Sequence, residues 1–265
     1  SDMILGATDA AGPRRRHLLQ LAGSGLAAGF IISGARAQAA GGGSVKAVAF
    51  DAFVTVDPRP VFARAEQLFP GKGAELSSLW RIRQFEYTWR RVVSQRYADF
   101  WTVTEDALRF AAAAAKVDLT ADKRDALMGG FLALKAHPDV LPGLQALRGA
   151  GIRLAFLSNM TERMLQAAIH SAGLEGLFEH VLSTDTLRTY KPDPRAYQMA
   201  IEAFGLRREE IVFAAFGGWD AAGAKSFGYR PFWANRLKLP AEELDLKPDA
   251  IGDTLADLVT FVGRT

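Results

Sequence analysis

The sequence predicts an α/β protein: a doubly wound parallel sheet, Rossmann-like in its core, with a helical cap domain inserted into it. Two observations carry this. Short apolar runs alternate with segments of three-to-four-residue apolar spacing, the pattern of parallel strands joined by crossover helices. Between the first run and the second lie about a hundred residues, far more than the dozen or so that a crossover requires.

In chain order, the expected strands are residues 45–50, 152–157, 180–183, 211–215 and 230–233. The surplus after the first strand reads as helical throughout: 61–69, 74–100, 104–116 opening at Thr104, and 121–134 with Thr120 as N-cap. The chain then divides into an export signal and flexible linker at 1–43, a core domain at 44–58 and 138–265, and a cap at 59–137. With 265 residues and 49% hydrophobic content, it can bury a sizeable core.

Composition removes several function classes. There is no cysteine, which excludes disulfides, thiolate catalysis and cysteine-based zinc sites. His17, His137, His170 and His180 lack the paired spacing of a metal-binding helix. The formal charge is +3, but with residues 1–37 set aside, twenty-eight basic residues face twenty-seven acidic ones. A body so nearly neutral gives no reason to expect nucleic acid or an anionic membrane as partner.

Residues 14–37 read as an address. Arg14, Arg15, Arg16 and His17 precede an apolar, glycine-rich run from Leu18 to Ile32, and Ala35-Arg36-Ala37 offers a small-x-small cleavage site. This resembles a twin-arginine export signal, with Arg15-Arg16 followed by Leu18-Leu19, and points to the periplasm; the alternative is a chain kept in the cytoplasm. The run is too rich in glycine for a permanent spanning helix, so no stable membrane insertion is expected. Gly41-Gly42-Gly43 then forms a flexible joint.

In an open α/β sheet, ligands collect at the carboxyl ends of the strands. Four polar sites stand there: Asp51 within Phe50-Asp51-Ala52-Phe53-Val54-Thr55, Ser158-Asn159 after Leu157, Lys191 in Tyr190-Lys191-Pro192-Asp193, and Asp220 in Gly217-Gly218-Trp219-Asp220. One aspartate after an apolar strand is usually a turn or cap residue. Four such sites in this order resemble the four motifs of the haloacid dehalogenase-like hydrolases. Further stretches narrow the resemblance to the L-2-haloacid dehalogenases over roughly residues 45–235: Phe69-Pro70-Gly71-Lys72-Gly73, Leu79-Trp80-Arg81, Glu86-Tyr87-Thr88-Trp89, Arg96-Tyr97 and Thr104-Glu105-Asp106-Ala107-Leu108.

The resemblance implies a metal-free, cofactor-free hydrolysis of small 2-halocarboxylic acids. Asp51 would be the nucleophile that forms an ester, Lys191 its counter-ion, and Arg81 the gatherer of halide. Ser158 and Asn159 would face the substrate carboxylate, Thr55 would fix the Asp51 turn, and Tyr197 would orient Lys191. Asp220 with Lys191 would activate water, and Phe53, Ile82, Phe85, Phe100 and Trp219 would wall the pocket. Relatives commonly pair through cap and core helices, so a homodimer is an expected partner.

Residue chemistry separates this reading from its rivals. Phosphatases of the superfamily carry a second aspartate two residues after the first, to protonate the leaving group, and here that position is Phe53. Halide departs as a stable anion and needs no proton, so a dehalogenase tolerates Phe53 where a phosphatase does not. An α/β-hydrolase route needs a late catalytic histidine, and none follows His180. The other rival is a degenerate binding protein for small carboxylates, suggested by departures from the family pattern at Val54, Ala215 and Gly217. Val54 replaces a glycine, so a reshaped turn is expected. Ala215 and Gly217 replace serine and asparagine, so slow ester hydrolysis is expected. Phe53 and Phe85 replace tyrosine and leucine, so a pocket narrowed toward haloacetates is expected.

Overall fold

The computed structural model describes residues 44–265. The expected export signal and the glycine joint lie outside the described residues.

The chain enters through β1 (Ala47–Phe50), makes one helical turn, α1 (Ala52–Thr55), and leaves the sheet along β2 (Val56–Asp57). Four helices follow: α2 (Arg59–Leu68), α3 (Gly73–Val93), α4 (Phe100–Ala115) and α5 (Ala121–Gly129). It returns on β3 (Lys135–Ala136) and α6 (Val140–Gly149), then alternates through β4 (Arg153–Ser158), α7 (Glu162–Ala172), β5 (His180–Ser183), α8 (Pro194–Phe204), β6 (Ile211–Ala215), α9 (Gly218–Phe227) and β7 (Arg230–Ala234). A short β8 (Ala250–Gly252) and α10 (Leu255–Val262) close the chain.

The main sheet has the order β5-β4-β1-β6-β7-β8, every pair parallel. β1 lies between β4 and β6, which is why all four of its residues are buried. Its alternate residues serve opposite faces. Val48 and Phe50 join a core with Leu144, Leu165 and Leu258 from α6, α7 and α10, whereas Ala47 and Ala49 join one with Tyr197, Ala200 and Ala221 from α8 and α9. Helices on both faces make the sheet doubly wound.

The helical insertion departs from expectation at two points. The run expected over 74–100 breaks after Val93, where Gln95 takes a left-handed φ of 57°. The next helix begins at Phe100 because the Asp99 carboxylate accepts from the Thr102 amide as N-cap. Thr104 is therefore an interior residue and not a helix start. Its hydroxyl donates to Phe100 O and accepts from Gln84 Nε2, and its carbonyl accepts from Trp80 Nε1, which ties α3 to α4. Trp80 is fully buried and edge-on to Phe62 and Phe131, at centroid distances of 5.2 and 5.6 Å. Thr120 caps α5 as expected, but α5 gives way at Gly130 to a tighter turn over Gly130–Leu132. β8 has no apolar run to announce it and went unread in the sequence.

The two crossings into and out of the insertion are paired: β2 and β3 form an antiparallel ribbon, Val56 opposite Ala136 and Asp57 opposite Lys135. Arg236 fastens its base. Its Nε donates to Val54 O at 3.1 Å, and its terminal nitrogens hold both oxygens of Asp139 at 3.0 and 2.9 Å. Asp139 also accepts from Leu255 N, at the start of α10. Among the described residues, no helix is long and apolar enough to cross a membrane.

Candidate active site

The site forms where β1, β4 and β6 end. Asp51 follows β1 and caps α1: its Oδ1 accepts from Phe53 N at 2.9 Å, and its own amide donates to Ala214 O. The Thr55 hydroxyl donates to Ala52 O at 2.8 Å, so Thr55 closes the turn and does not touch the Asp51 carboxylate. Val54 does not distort this turn. It is buried, its amide donates to Asp51 O, and it is not among the residues with positive φ, so no glycine is required here.

Lys191 is fully buried, and its ammonium donates to Asp51 Oδ2 at 2.8 Å and to Asp220 Oδ2 at 2.6 Å. It also lies over the Phe213 ring, 5.0 Å from the centroid. Burial works against the charge of Lys191, but Asp220 and Asp51 more than offset it, so its pKa is raised and it stays an ammonium. Asp220 is 1% exposed, and burial pushes its carboxyl up to about 6; Lys191 works against that rise and the charge of Asp51 adds to it. The Tyr197 hydroxyl donates to Asp220 Oδ1 at 2.7 Å, and burial together with Asp220 holds this phenol well above its usual range, as a permanent donor. Tyr197 was expected to orient Lys191. It touches Asp220 instead, and reaches the ammonium only through that carboxylate.

A cavity of ≈ 20 Å³ opens on Asp51, walled by Phe53, Phe85, Phe100, Ser158, Asn159 and Trp219 among others. Gly217, part of the fourth motif, also lines it, and two further wall residues were not foreseen: Met160 and Phe216. Each adjoins a motif residue, Met160 after Asn159 and Phe216 directly past β6, so adjacency was the available signal. Ser158 Oγ accepts from Met160 N at 3.2 Å. Asn159 Oδ1 is committed to Lys191 N at 2.8 Å and Thr184 Oγ1 at 3.3 Å, which leaves its amide nitrogen to face a ligand.

Arg81 and Ile82 do not line this cavity. They line a larger one of ≈ 300 Å³ beside it, where the Arg81 guanidinium lies 5.4 Å from the Phe62 ring centroid. The reason is that α3 carries both residues on exposed turns, while Phe85, one turn on, packs against Trp219 at 5.6 Å. Trp89 extends this contact, edge-on to Trp219 at 5.6 Å and donating to Lys191 O at 3.3 Å. Gly217 is also explained: a Cβ there would fall 2.5 Å from Trp219 Nε1, so the indole fills the space of the missing side chain. Ala215 is fully buried at the end of β6 and offers Lys191 no polar partner.

A carboxylate at the end of the central strand, held by a buried lysine and a second carboxylate, is an arrangement for nucleophilic hydrolysis, and a family model of haloacid dehalogenase-like hydrolases matches residues 45–228. The (S)-2-haloacid dehalogenase of Pseudomonas sp. (strain YL) is 41% identical over 206 residues, 77% of this chain and 89% of that protein. A crystal structure of an L-2-haloacid dehalogenase superposes with a TM-score of 0.82 at 46% identity, covering 83% of this chain and 100% of the other. The L-2-haloacid dehalogenase of Xanthobacter autotrophicus, solved with chloropropionic acid covalently bound, gives 0.77 at 30% identity, covering 83% and 98%. The chain belongs to the haloacid dehalogenase-like hydrolases, and within them to the L-2-haloacid dehalogenases.

The Lys191 node generates a stability prediction. Lys191→Met leaves two buried carboxylates facing each other without a cation, and is expected to cost about 3–5 kcal/mol in urea denaturation. Because the pull of Lys191 on Asp220 is lost, that carboxyl rises further above its unfolded value of 3.8. The folded state then holds this proton to higher pH, so the deficit should widen as pH rises from 5 to 8. A deficit independent of pH would contradict the assignment.

Proposed function

We propose that the protein hydrolyses small 2-halocarboxylic acids through an ester on Asp51, converting 2-haloacid and water to 2-hydroxyacid, halide and a proton. The observation that carries this is the buried Lys191 ammonium shared by Asp51 and Asp220, beside a cavity whose second motif position is Phe53. In the first step an Asp51 oxygen attacks C2, the new C–O bond forms, and the C–halogen bond breaks with its electron pair leaving on the halide. Lys191 holds the nucleophile in place by donating to Asp51 Oδ2 at 2.8 Å within an apolar wall. The amide nitrogen of Asn159 and the Ser158 hydroxyl face the substrate carboxylate. Arg81, across the shared wall, attracts the departing anion.

In the second step, water attacks the Asp51 carbonyl carbon and Asp220 takes its proton. The developing oxyanion meets the Phe53 amide, already bound to Oδ1 at 2.9 Å. As the bond between the acyl carbon and the ester oxygen breaks, Asp220 passes its proton to that oxygen and the hydroxyacid is released, while the second proton of the water leaves the regenerated carboxyl for solvent and restores the carboxylate. A phosphatase reading is not favoured, because Phe53 supplies no acid to a leaving alkoxide. We also propose a division into core and a cap at residues 59–137, and periplasmic export; the export reading rests on Arg15-Arg16, the apolar run after them and Ala35-Arg36-Ala37.

Asp51→Asn should abolish halide release from 2-chloro- and 2-bromoacids. One turnover of the intact enzyme in ¹⁸O-water should label the Asp51 carboxylate, visible in the mass of its peptide; label only in the product would refute the ester. Because Asp220 must be ionised to accept a proton, and an ester on Asp51 removes a charge that raises its pKa from the free enzyme's value of about 6, kcat should fall only as pH drops below about 6. In Tyr197→Phe, which removes a hydrogen bond that lowers the Asp220 pKa, that limb should move to higher pH; an unmoved limb would assign it to another group. For export, cell fractionation should place the protein in the periplasm, with a mature N-terminus beyond Ala37. An intact cytoplasmic chain would end that reading.

A further inference from the structure

The cavity at Asp51 holds about one water-sized group, less than any carbon skeleton carrying both a halogen and a carboxylate. The larger cavity adjoins it: Phe53, Phe85, Phe216, Gly217 and Trp219 line both. Whatever reaches Asp51 therefore extends across this common wall. Phe53 and Phe85, expected to narrow the pocket, have ≈ 300 Å³ of space behind them.

The character of that space points to its occupant. Its inner wall is aromatic, with Phe62 and Phe131. At its mouth stand Ile82, Leu237 and Leu239, large apolar residues that are 51%, 37% and 53% exposed and so keep apolar surface free for a ligand. The charges around it are mostly spent: Arg59 is held by Asp57 and Arg236 by Asp139. What the chamber offers a ligand is chiefly apolar surface, next to the cavity at Asp51.

We propose that this chamber receives the C2 substituent of the substrate, so that the enzyme selects 2-haloacids bearing an extended apolar tail over haloacetates. The inference rests on the dehalogenase reading and adds the substrate class to it. The tail leaves C2 at the common wall and lies between Phe62 and the apolar mouth, with Arg81 left on the α3 side for the halide.

The test is kcat/KM for bromide release from bromoacetate and from (S)-2-bromobutanoate, (S)-2-bromohexanoate and (S)-2-bromooctanoate. Burial of each methylene is worth roughly 0.8 kcal/mol, so kcat/KM should rise about fourfold per methylene from butanoate to hexanoate. Ser78→Trp, at an exposed position of α3 on the chamber wall, and Leu239→Asp, in the loop at the mouth, should each bring the hexanoate-to-butanoate ratio back to about one. Values that fall with chain length in the intact enzyme, or a ratio that survives both substitutions, would overturn the inference. Bromide from bromoacetate alone would also overturn it while leaving the dehalogenase reading in place. If no acid in the series released bromide, that reading would fail and this one with it.

Discussion

One ammonium group organises the molecule's chemistry. Lys191 has no exposed surface, and its charge is tolerable there only because Asp51 and Asp220 sit within 2.8 Å of it. Two carboxylates around one cation leave a net negative charge in a closed space, and the strain of that excess falls on Asp220. Esterification of Asp51 would remove one of the charges that raise the Asp220 pKa. The same group that is reluctant to ionise in the free enzyme is thus released from that pressure once an ester awaits attack. The coupling follows from three atoms and their distances, and from no moving part.

The sequence showed the sheet and the polar residues at its edge well, for a physical reason. Buried parallel strands are short and apolar, so the strand expected over 211–215 coincides with β6, and that over 180–183 with β5. Asp51, Lys191 and Asp220 stood out because a charge at the end of such a run has little structural excuse. Thr104 misled because a threonine looks alike at a helix start and inside a helix. Only the tertiary partners Gln84 and Trp80 settle where it belongs. β8 was invisible because three residues at a sheet edge carry no periodicity. Tyr197 was placed near the right group but joined to the wrong atom, which no spacing can resolve. Arg81 and Ile82 were placed in the Asp51 pocket, yet the direction of a side chain on α3 depends on how that helix lies over the sheet.

How α3 lies is decided mainly by aromatic rings. Phe85 and Trp89 from the insertion close on Trp219 from the core, and Trp89 donates to the main chain of Lys191 itself. Trp219 can lean this way only because residue 217 is a glycine. A position that looked like a lost polar group is, in packing terms, the vacancy that admits the ring, and the ring stands in the wall shared by the two cavities.

The ribbon of β2 and β3 has a consequence for what this architecture can become. Its two strands run side by side, so Asp57 and Lys135 stand about 5 Å apart across the ladder. The nearly eighty residues between them therefore start and finish at almost the same point, and a tight hairpin could bridge it. The core would not register the exchange in its own strand order, since β1 keeps both neighbours whatever hangs from the ribbon. A scaffold with this join can trade its lid wholesale, altering what is admitted to the reacting carboxylate while the machinery beneath is inherited intact.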